Sequence, residues 1–125
     1  MFTHIMVGSN NPDEAIAFYD AVLGAIGVQG KRMGESAFYS DAKGGAFGVG
    51  KPRNGEPATF ANGGTIGFSA KTRAEVDAFY AAGCSNGGRC EGEPGERSAA
   101  PGSPYGAYLR DPDGNKICAF TTSKE

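Results

Sequence analysis

The sequence repeats itself, and this repeat limits the possible folds more than any other feature. Residues 5–19 read IMVGSNNPDEAIAFY and residues 66–80 read IGFSAKTRAEVDAFY, so matching positions stand 61 places apart. Residues 35–50, ESAFYSDAKGGAFGVG, resemble residues 105–120, YGAYLRDPDGNKICAF, at an offset of 70. Self-similarity of this kind indicates copies of one structural unit. The chain is therefore predicted to consist of two similar halves.

Each half has the pattern of a strand, a helix and a group of strands that contains a hairpin. Residues 2–8 alternate between two faces, which predicts the first strand. Asn11, followed by Pro12 and by Glu14 three positions after the cap, predicts the start of a helix. Thr72 gives an equivalent start signal in the second half. The pattern predicts an α+β fold built from paired βαβββ modules.

Glycines and turn residues set the remaining boundaries. The two helices are predicted to end at Gly24 and Gly83. A poorly patterned strand is expected over residues 26–33. The stretch 84–104 is rich in Gly, Ser, Pro and charge, which predicts one short strand around residues 89–92 and an irregular loop.

One domain accounts for the whole sequence. A chain of 125 residues is long enough to bury a hydrophobic core. Module one is predicted over about 1–50, a connection rich in Pro and Gly over about 51–64, and module two over about 65–120.

Charge and cysteine content exclude several classes of protein. The net charge is −2 and its signs are mixed along the chain, so no basic stripe predicts a nucleic-acid partner. No run approaches the roughly 18 apolar residues of a membrane span, and the N-terminus lacks the pattern of a signal peptide. Three cysteines without metal-type spacing favour a reducing compartment, and the protein is predicted to be cytoplasmic.

One face of the predicted strands has the composition of a cavity. Ile5 and Val7 should pack on a helix, whereas the opposite face mixes polar, aromatic and small residues. Alternatively, its glycines only let the strands curve. The cavity candidates are His4, Met6, Gly48, Thr65, Cys118 and Phe120, and the candidates for its rim are Arg53, Arg97, Ser103, Tyr105 and Arg110.

The paired modules and the DPDGNKI turn resemble the vicinal oxygen chelate superfamily, which contains glyoxalases, bleomycin resistance proteins and extradiol dioxygenases. Residues 2–24 and 105–120 carry the resemblance most specifically, and it is strongest to small single-domain glyoxalase-like members. The resemblance implies an eight-stranded curved sheet around a small-molecule cavity, in a protein that forms homodimers.

In metal-dependent members, each half supplies two ligands to a divalent ion. The matching positions here are His4, Gly48, Thr65 and Cys118, so both expected carboxylates are absent. Thr65 is a poor third ligand, and a catalytic zinc takes three. No cofactor is therefore expected, with zinc, nickel or iron held by His4 and Cys118 as the alternative.

The predicted function is binding of a small molecule by a glyoxalase-like protein whose metal site has been lost or remodelled. The alternative is a metal-dependent lyase or isomerase, of the lactoylglutathione lyase type, with an atypical His/Cys site. A third possibility is a dimer with a structural role and a vestigial cavity. No catalytic residue is assigned, since the sequence places neither a base nor a nucleophile beside His4. The ligand, and whether modules pair within or between chains, stay open.

Overall fold

A computed structural model describes residues 1–125 and confirms the predicted α+β fold of two βαβββ modules. Neither helix is long and apolar enough to cross a membrane. The elements are β1 His4–Gly8, α1 Pro12–Gly24, β2 Gln29–Met33, β3 Ser36–Ser40, β4 Ala46–Gly50, β5 Ile66–Ser69, α2 Arg73–Ser85, β6 Arg89–Glu96, β7 Tyr105–Arg110 and β8 Lys116–Thr121.

The strands form two mixed sheets of four strands each. Sheet A has the order β1-β4-β3-β2, and sheet B has the order β5-β8-β7-β6. In each sheet the first strand of the module pairs in parallel with the last, and the other pairs are antiparallel. No hydrogen-bonded ladder joins β1 to β5, so the eight strands do not make one continuous sheet.

The strand register confirms the internal repeat residue by residue. In sheet A, Gly48 lies opposite Met6 on one side and Phe38 on the other. In sheet B, Cys118 lies opposite Gly67 and Tyr108, which are the same positions shifted by the two repeat offsets. The two sheets are therefore copies of one ladder.

Both helices begin where the sequence predicts. The Asn11 side chain accepts a hydrogen bond from the Glu14 backbone N–H at 3.2 Å, and Thr72 caps α2 in the same way. The predicted end of α2 at Gly83 was wrong, because the helix continues to Ser85. Gly83 packs against Leu109 instead, where a Cβ atom would collide with that side chain. It serves close packing rather than helix termination.

The region 84–104 contains a longer strand than predicted. Sequence indicated a short strand around 89–92, whereas β6 extends from Arg89 to Glu96. Its pairing with β7 shifts register between Cys90 and Gly92, and again between Gly92 and Gly95. Such bulges absorb extra residues and let a strand rich in Gly and Pro continue along a sheet edge.

The hydrophobic core is shared by both modules. Side chains from α1, α2 and the helix-facing sides of both sheets form one cluster of 18 buried residues. A row of aromatic rings crosses it, with centroid distances of 4.8 Å from Tyr19 to Phe47, 5.1 Å from Phe47 to Phe68, and 6.4 Å from Phe68 to Phe79. This aromatic row links module one to module two.

A buried hydrogen-bond network also joins the modules. Asp111, in the turn between β7 and β8, is 2% exposed. One of its carboxyl oxygens accepts from the Tyr19 hydroxyl at 2.6 Å and from the Asn115 side chain at 2.8 Å. The other accepts backbone N–H groups of Asp113 and Asn115 at 2.9 Å. Because the Asn115 amide also donates to the Gly8 carbonyl, the turn is fixed to the end of β1.

Candidate functional site

Each sheet has one side that faces away from the helices. Successive side chains of a strand point to opposite sides, and those on the helix side fill the core. We call the other sides the open faces. The open face of sheet A includes His4, Met6, Lys31, Met33, Phe38 and Gly48, and that of sheet B includes Gly67, Gly106, Tyr108, Arg110, Lys116, Cys118 and Phe120.

The centre of the open face of sheet A is apolar. Met6 and Phe38 lie over Gly48, where an added Cβ would collide with the Met6 sulfur and approach the Phe38 ring to 2.9 Å. Met6 is 46% exposed and Phe38 is 37% exposed. His4, on the same strand as Met6, is exposed, and its Nδ1 atom lies 2.9 Å from the Thr3 hydroxyl. Gly48 therefore makes room for two larger neighbours.

The open face of sheet B has an aromatic pair beneath an arginine. The rings of Tyr108 and Phe120 meet edge to face with centroids 5.5 Å apart. The Arg97 guanidinium lies 5.7 Å from the Tyr108 centroid and 6.0 Å from that of Phe120. Its terminal nitrogens donate to the carbonyls of Gly95 at 2.8 Å and Glu93 at 2.9 Å. The guanidinium is thus held on the sheet by the bulged end of β6.

A second cation lies on the same face without a partner of opposite charge. The Lys116 ammonium is 5.0 Å from the Tyr108 ring centroid. Neither Lys116 nor Arg97 takes part in any of the four ion pairs of the protein. Arg110 differs, because it pairs with Glu91 at 3.2 Å. Two uncompensated positive charges therefore surround Tyr108.

Cys118 lies between these groups and is 5% exposed. Burial raises the pKa of its thiol to about 11, although the positive charges of Lys116 and Arg97 act in the opposite direction. The thiolate is the form that attacks electrophiles and binds metals. At neutral pH Cys118 is therefore a protonated, inert thiol in the floor of the open face.

A cleft of about 320 Å³ lies between the end of β1 and the start of β5. Met6, Thr65 and Lys116 line it together with the segment that connects the modules. A neighbouring groove of about 530 Å³ places Arg53 beside Met6. The structure thus brings together Met6 and Thr65 among the cavity candidates, with Arg53 next to them.

The sequence of nearly the whole chain matches the profile of one known family. The sequence profile of the glyoxalase/bleomycin resistance protein/dioxygenase superfamily matches residues 1–119. The chain belongs to this superfamily. Superfamily members commonly bind a metal, and their domains bind small molecules and often form dimers.

Solved structures of the glyoxalase/bleomycin resistance protein/dioxygenase superfamily agree with this assignment. A glyoxalase/bleomycin resistance protein from Albidiferax ferrireducens T118 is 50% identical, covers 97% of this chain and 98% of its own, and superposes with a TM-score of 0.91. A glyoxalase-related enzyme from Fulvimarina pelagi is 17% identical over 97% and 87% of the two chains, with a TM-score of 0.75. A lactoylglutathione lyase from Agrobacterium tumefaciens is 23% identical over 97% and 92%, with a TM-score of 0.64. The last two show a shared fold. No curated protein matches.

The residues at the family's four ligand positions do not fit a divalent metal. Gly48 has no donor atom, and its neighbours fill the space above it. Cys118 is buried, and the positive charges of Lys116 and Arg97 near its thiol disfavour a bound metal ion. His4 and Thr65 remain, and no group of three or more His, Cys, Asp or Glu side chains is placed to hold a metal ion. These donors are fewer than the three that a catalytic zinc requires.

The remaining rim candidates lie apart from the open faces. Tyr105 is on the helix side of β7, where its hydroxyl donates to Asp77 at 2.6 Å. That hydrogen bond raises the pKa of Tyr105. Ser103 lies in the loop between β6 and β7. Of the five rim candidates, Arg97 has the best position for contact with a ligand on sheet B.

Sequence reasoning missed two large side chains on the open face of sheet B. Tyr108 and Lys116 lie there because Tyr108 is opposite Cys118, and Lys116 is two residues before it on the same strand. Strand alternation counted from Cys118 was the signal that would have found both. The sequence also did not predict a further cleft of about 290 Å³ on the helix side of the sheets. Mainly apolar residues, such as Phe2 and Phe68, line this cleft.

The three cysteines should differ in reactivity. Cys84 and Cys90 are exposed, and Cys118 is buried with a raised pKa. We expect Ellman's reagent at pH 8 to modify two thiols of the native protein quickly and the third only after denaturation. The Cys118→Ser variant should give the same fast count. A fast third thiol that disappears in this variant would contradict the inert role of Cys118.

Proposed function

We propose that this protein binds a small organic molecule at the open faces of its sheets, without the divalent metal that its superfamily commonly uses. The supporting observation is the chemistry around Cys118. Two positive charges and an aromatic pair lie there, at a position where metal-dependent members are expected to carry a carboxylate ligand. Positive charges disfavour the approach of a cation and leave an organic ligand as the better occupant.

The cleft between the sheets has a size that suits such a ligand. Its volume of about 320 Å³ falls at the lower end of the roughly 300–1,000 Å³ typical of small-molecule sites. Apolar Met6 and polar Thr65 and Lys116 contribute to its lining. Ligand pockets usually combine apolar area with a few polar groups that orient the ligand.

The proposal includes a homodimer in the cytoplasm. Phe38 and Met33 leave apolar area exposed on sheet A, and Met33 is 60% exposed. Contiguous apolar area on a small protein often marks an interface. A second copy of the chain would cover it, and light scattering should then give about twice the 12.8 kDa chain mass. The three free cysteines support a reducing compartment.

Elemental analysis of untagged protein, purified without chelator, tests the metal-free site. We expect far less than one equivalent of zinc, nickel or iron per chain, and no change in the His4→Ala variant. An apolar fluorescent probe, N-phenyl-1-naphthylamine, should bind with saturation and with the same affinity after EDTA treatment. Absence of a tag matters because added histidines bind metal themselves.

One result would replace the proposal with the metal-dependent lyase. It is a near-stoichiometric metal that is lost in His4→Ala, together with turnover of a hemithioacetal that EDTA abolishes. Metal-free protein that stays folded but binds no small molecule would leave the structural dimer as the better account.

A further inference from the structure

The open face of sheet B has the chemistry of an anion site, and this inference rests on the small-molecule binding proposed above. We propose that Arg97 and Lys116 bind the anionic group of the ligand, and that its apolar or aromatic part lies against Tyr108 and Phe120. The anionic group is a carboxylate, sulfonate or phosphate, each of which offers oxygen acceptors to both cations.

Arg97 is positioned for this role and keeps free donors. Two of its N–H groups are used by the carbonyls of Gly95 and Glu93, which fix the plane of the guanidinium. A guanidinium has five N–H donors, so three remain for a ligand. Arg97 is also half-buried, and a charge in such a place interacts more strongly than one in bulk water. A pre-oriented guanidinium suits an oxyanion because little freedom is lost on binding.

Lys116 brings a second charge to the same ring. Its ammonium and the Arg97 guanidinium lie 5.0 Å and 5.7 Å from the centroid of Tyr108. Arg110, a neighbouring cation on this face, is already paired with Glu91 and also donates to the Gly114 carbonyl. The surplus positive charge therefore belongs to the pair Arg97 and Lys116. Two like charges around one ring are stabilised by an anion between them.

Glycines let the aromatic pair lie close to the sheet. A Cβ at Gly106 would collide with the ring of Phe120, and one at Gly92 would lie 3.2 Å from the ring of Tyr108. The rings are half-buried, so part of each remains accessible. Flat apolar area beside two cations suits a ligand that joins an anionic group to an aromatic one.

A purely structural role for Arg97 makes a different prediction. Its bonds to Gly95 and Glu93 hold the bulged end of β6, and loss of these bonds would lower stability whatever ligand is present. An anion site instead makes affinity depend on the charge of the ligand. A pair of probes that differ only in charge separates the two roles.

The probes are 8-anilinonaphthalene-1-sulfonate and N-phenyl-1-naphthylamine, which share the same aromatic frame and differ by the sulfonate. The protein has no tryptophan, so probe fluorescence is free of that background. We expect the sulfonate probe to bind native protein at least tenfold more tightly than the neutral probe at low salt. Its advantage should shrink as salt is added, because salt screens partly exposed charges.

Three variants locate the charge dependence, and one serves as a control. Arg97→Gln and Lys116→Gln should each weaken binding of the sulfonate probe about tenfold, as expected for loss of a charge-assisted hydrogen bond, and should leave the neutral probe unchanged. Arg97→Lys should recover part of the loss. Arg32→Gln removes an arginine from the helix side of β2, where it pairs with Asp13, and should change neither affinity.

The outcomes separate this inference from the proposed function. Equal binding of both probes, unaffected by Arg97→Gln and Lys116→Gln, would overturn the anion site and leave small-molecule binding intact. Equal losses in Arg32→Gln would show a general charge effect and would also overturn it. Binding of neither probe by folded protein would count against the proposed function itself. Thermal unfolding of each variant shows whether a loss reflects stability alone.

Discussion

Replacement of Asp111 by Ala should lower the free energy of unfolding by about 3–4 kcal/mol. The substitution removes a buried acceptor of four hydrogen bonds. It leaves the Tyr19 hydroxyl and the Asn115 amide without this partner inside the protein, and each unsatisfied buried donor costs about 1–3 kcal/mol. Urea denaturation followed by circular dichroism would measure the change. Asp111→Asn, which keeps the shape but replaces one acceptor with a donor, should lose a large part of the same stability.

The internal repeat provides a matched control. Asp41 occupies the same position in the first hairpin, but it is exposed and its side chain accepts a single hydrogen bond, from the Lys43 backbone at 2.9 Å. Asp41→Ala should therefore change stability by less than about 0.5 kcal/mol. Similar losses in both variants would mean that the turn itself, rather than its contact with Tyr19, determines the effect.

Phe47→Ala should lower the free energy of unfolding by about 3–5 kcal/mol, which is the second large effect that we expect. Phe47 is 6% exposed and lies between Tyr19 of module one and Phe68 of module two, at centroid distances of 4.8 Å and 5.1 Å. Its removal leaves a cavity at the boundary between the modules, which close-packed surroundings fill only in part. Urea denaturation monitored by circular dichroism would again give the value.

The same substitution at an exposed phenylalanine serves as the control. Phe2 is 67% exposed, so Phe2→Ala should lower the free energy of unfolding by less than about 0.5 kcal/mol. Both residues line the apolar cleft on the helix side. A loss in Phe2→Ala as large as that in Phe47→Ala would show that the N-terminal segment contributes to the core, and that exposure in the single chain underestimates its burial.

The repeat made most of the fold predictable from sequence. Its two offsets place Met6 with Gly67 and Gly48 with Cys118, and these residues occupy equivalent register positions in the two sheets. The helix starts were also predictable, because a cap depends on a few neighbouring residues. Local signals and self-similarity require no knowledge of long-range contacts.

The remaining features depend on contacts between distant segments. The length of β6 depends on its pairing with β7, which composition does not reveal. Gly83 resembled a helix stop, but its role is set by Leu109, 26 positions further along the chain. The position of Arg97 over the aromatic pair likewise follows from the bulges in β6. Arg97 was therefore predictable as a rim candidate, but its position over Tyr108 and Phe120 was not.

The hydrogen bond from Tyr19 to Asp111 spans 92 positions of the sequence. During synthesis, α1 therefore leaves the ribosome long before the turn that satisfies its buried hydroxyl. The N-terminal half cannot complete its own core until nearly the whole polypeptide has been made, although it carries every element of its module. The sequence contains two similar units, but the buried turn at Asp111 joins them into a single unit in folding.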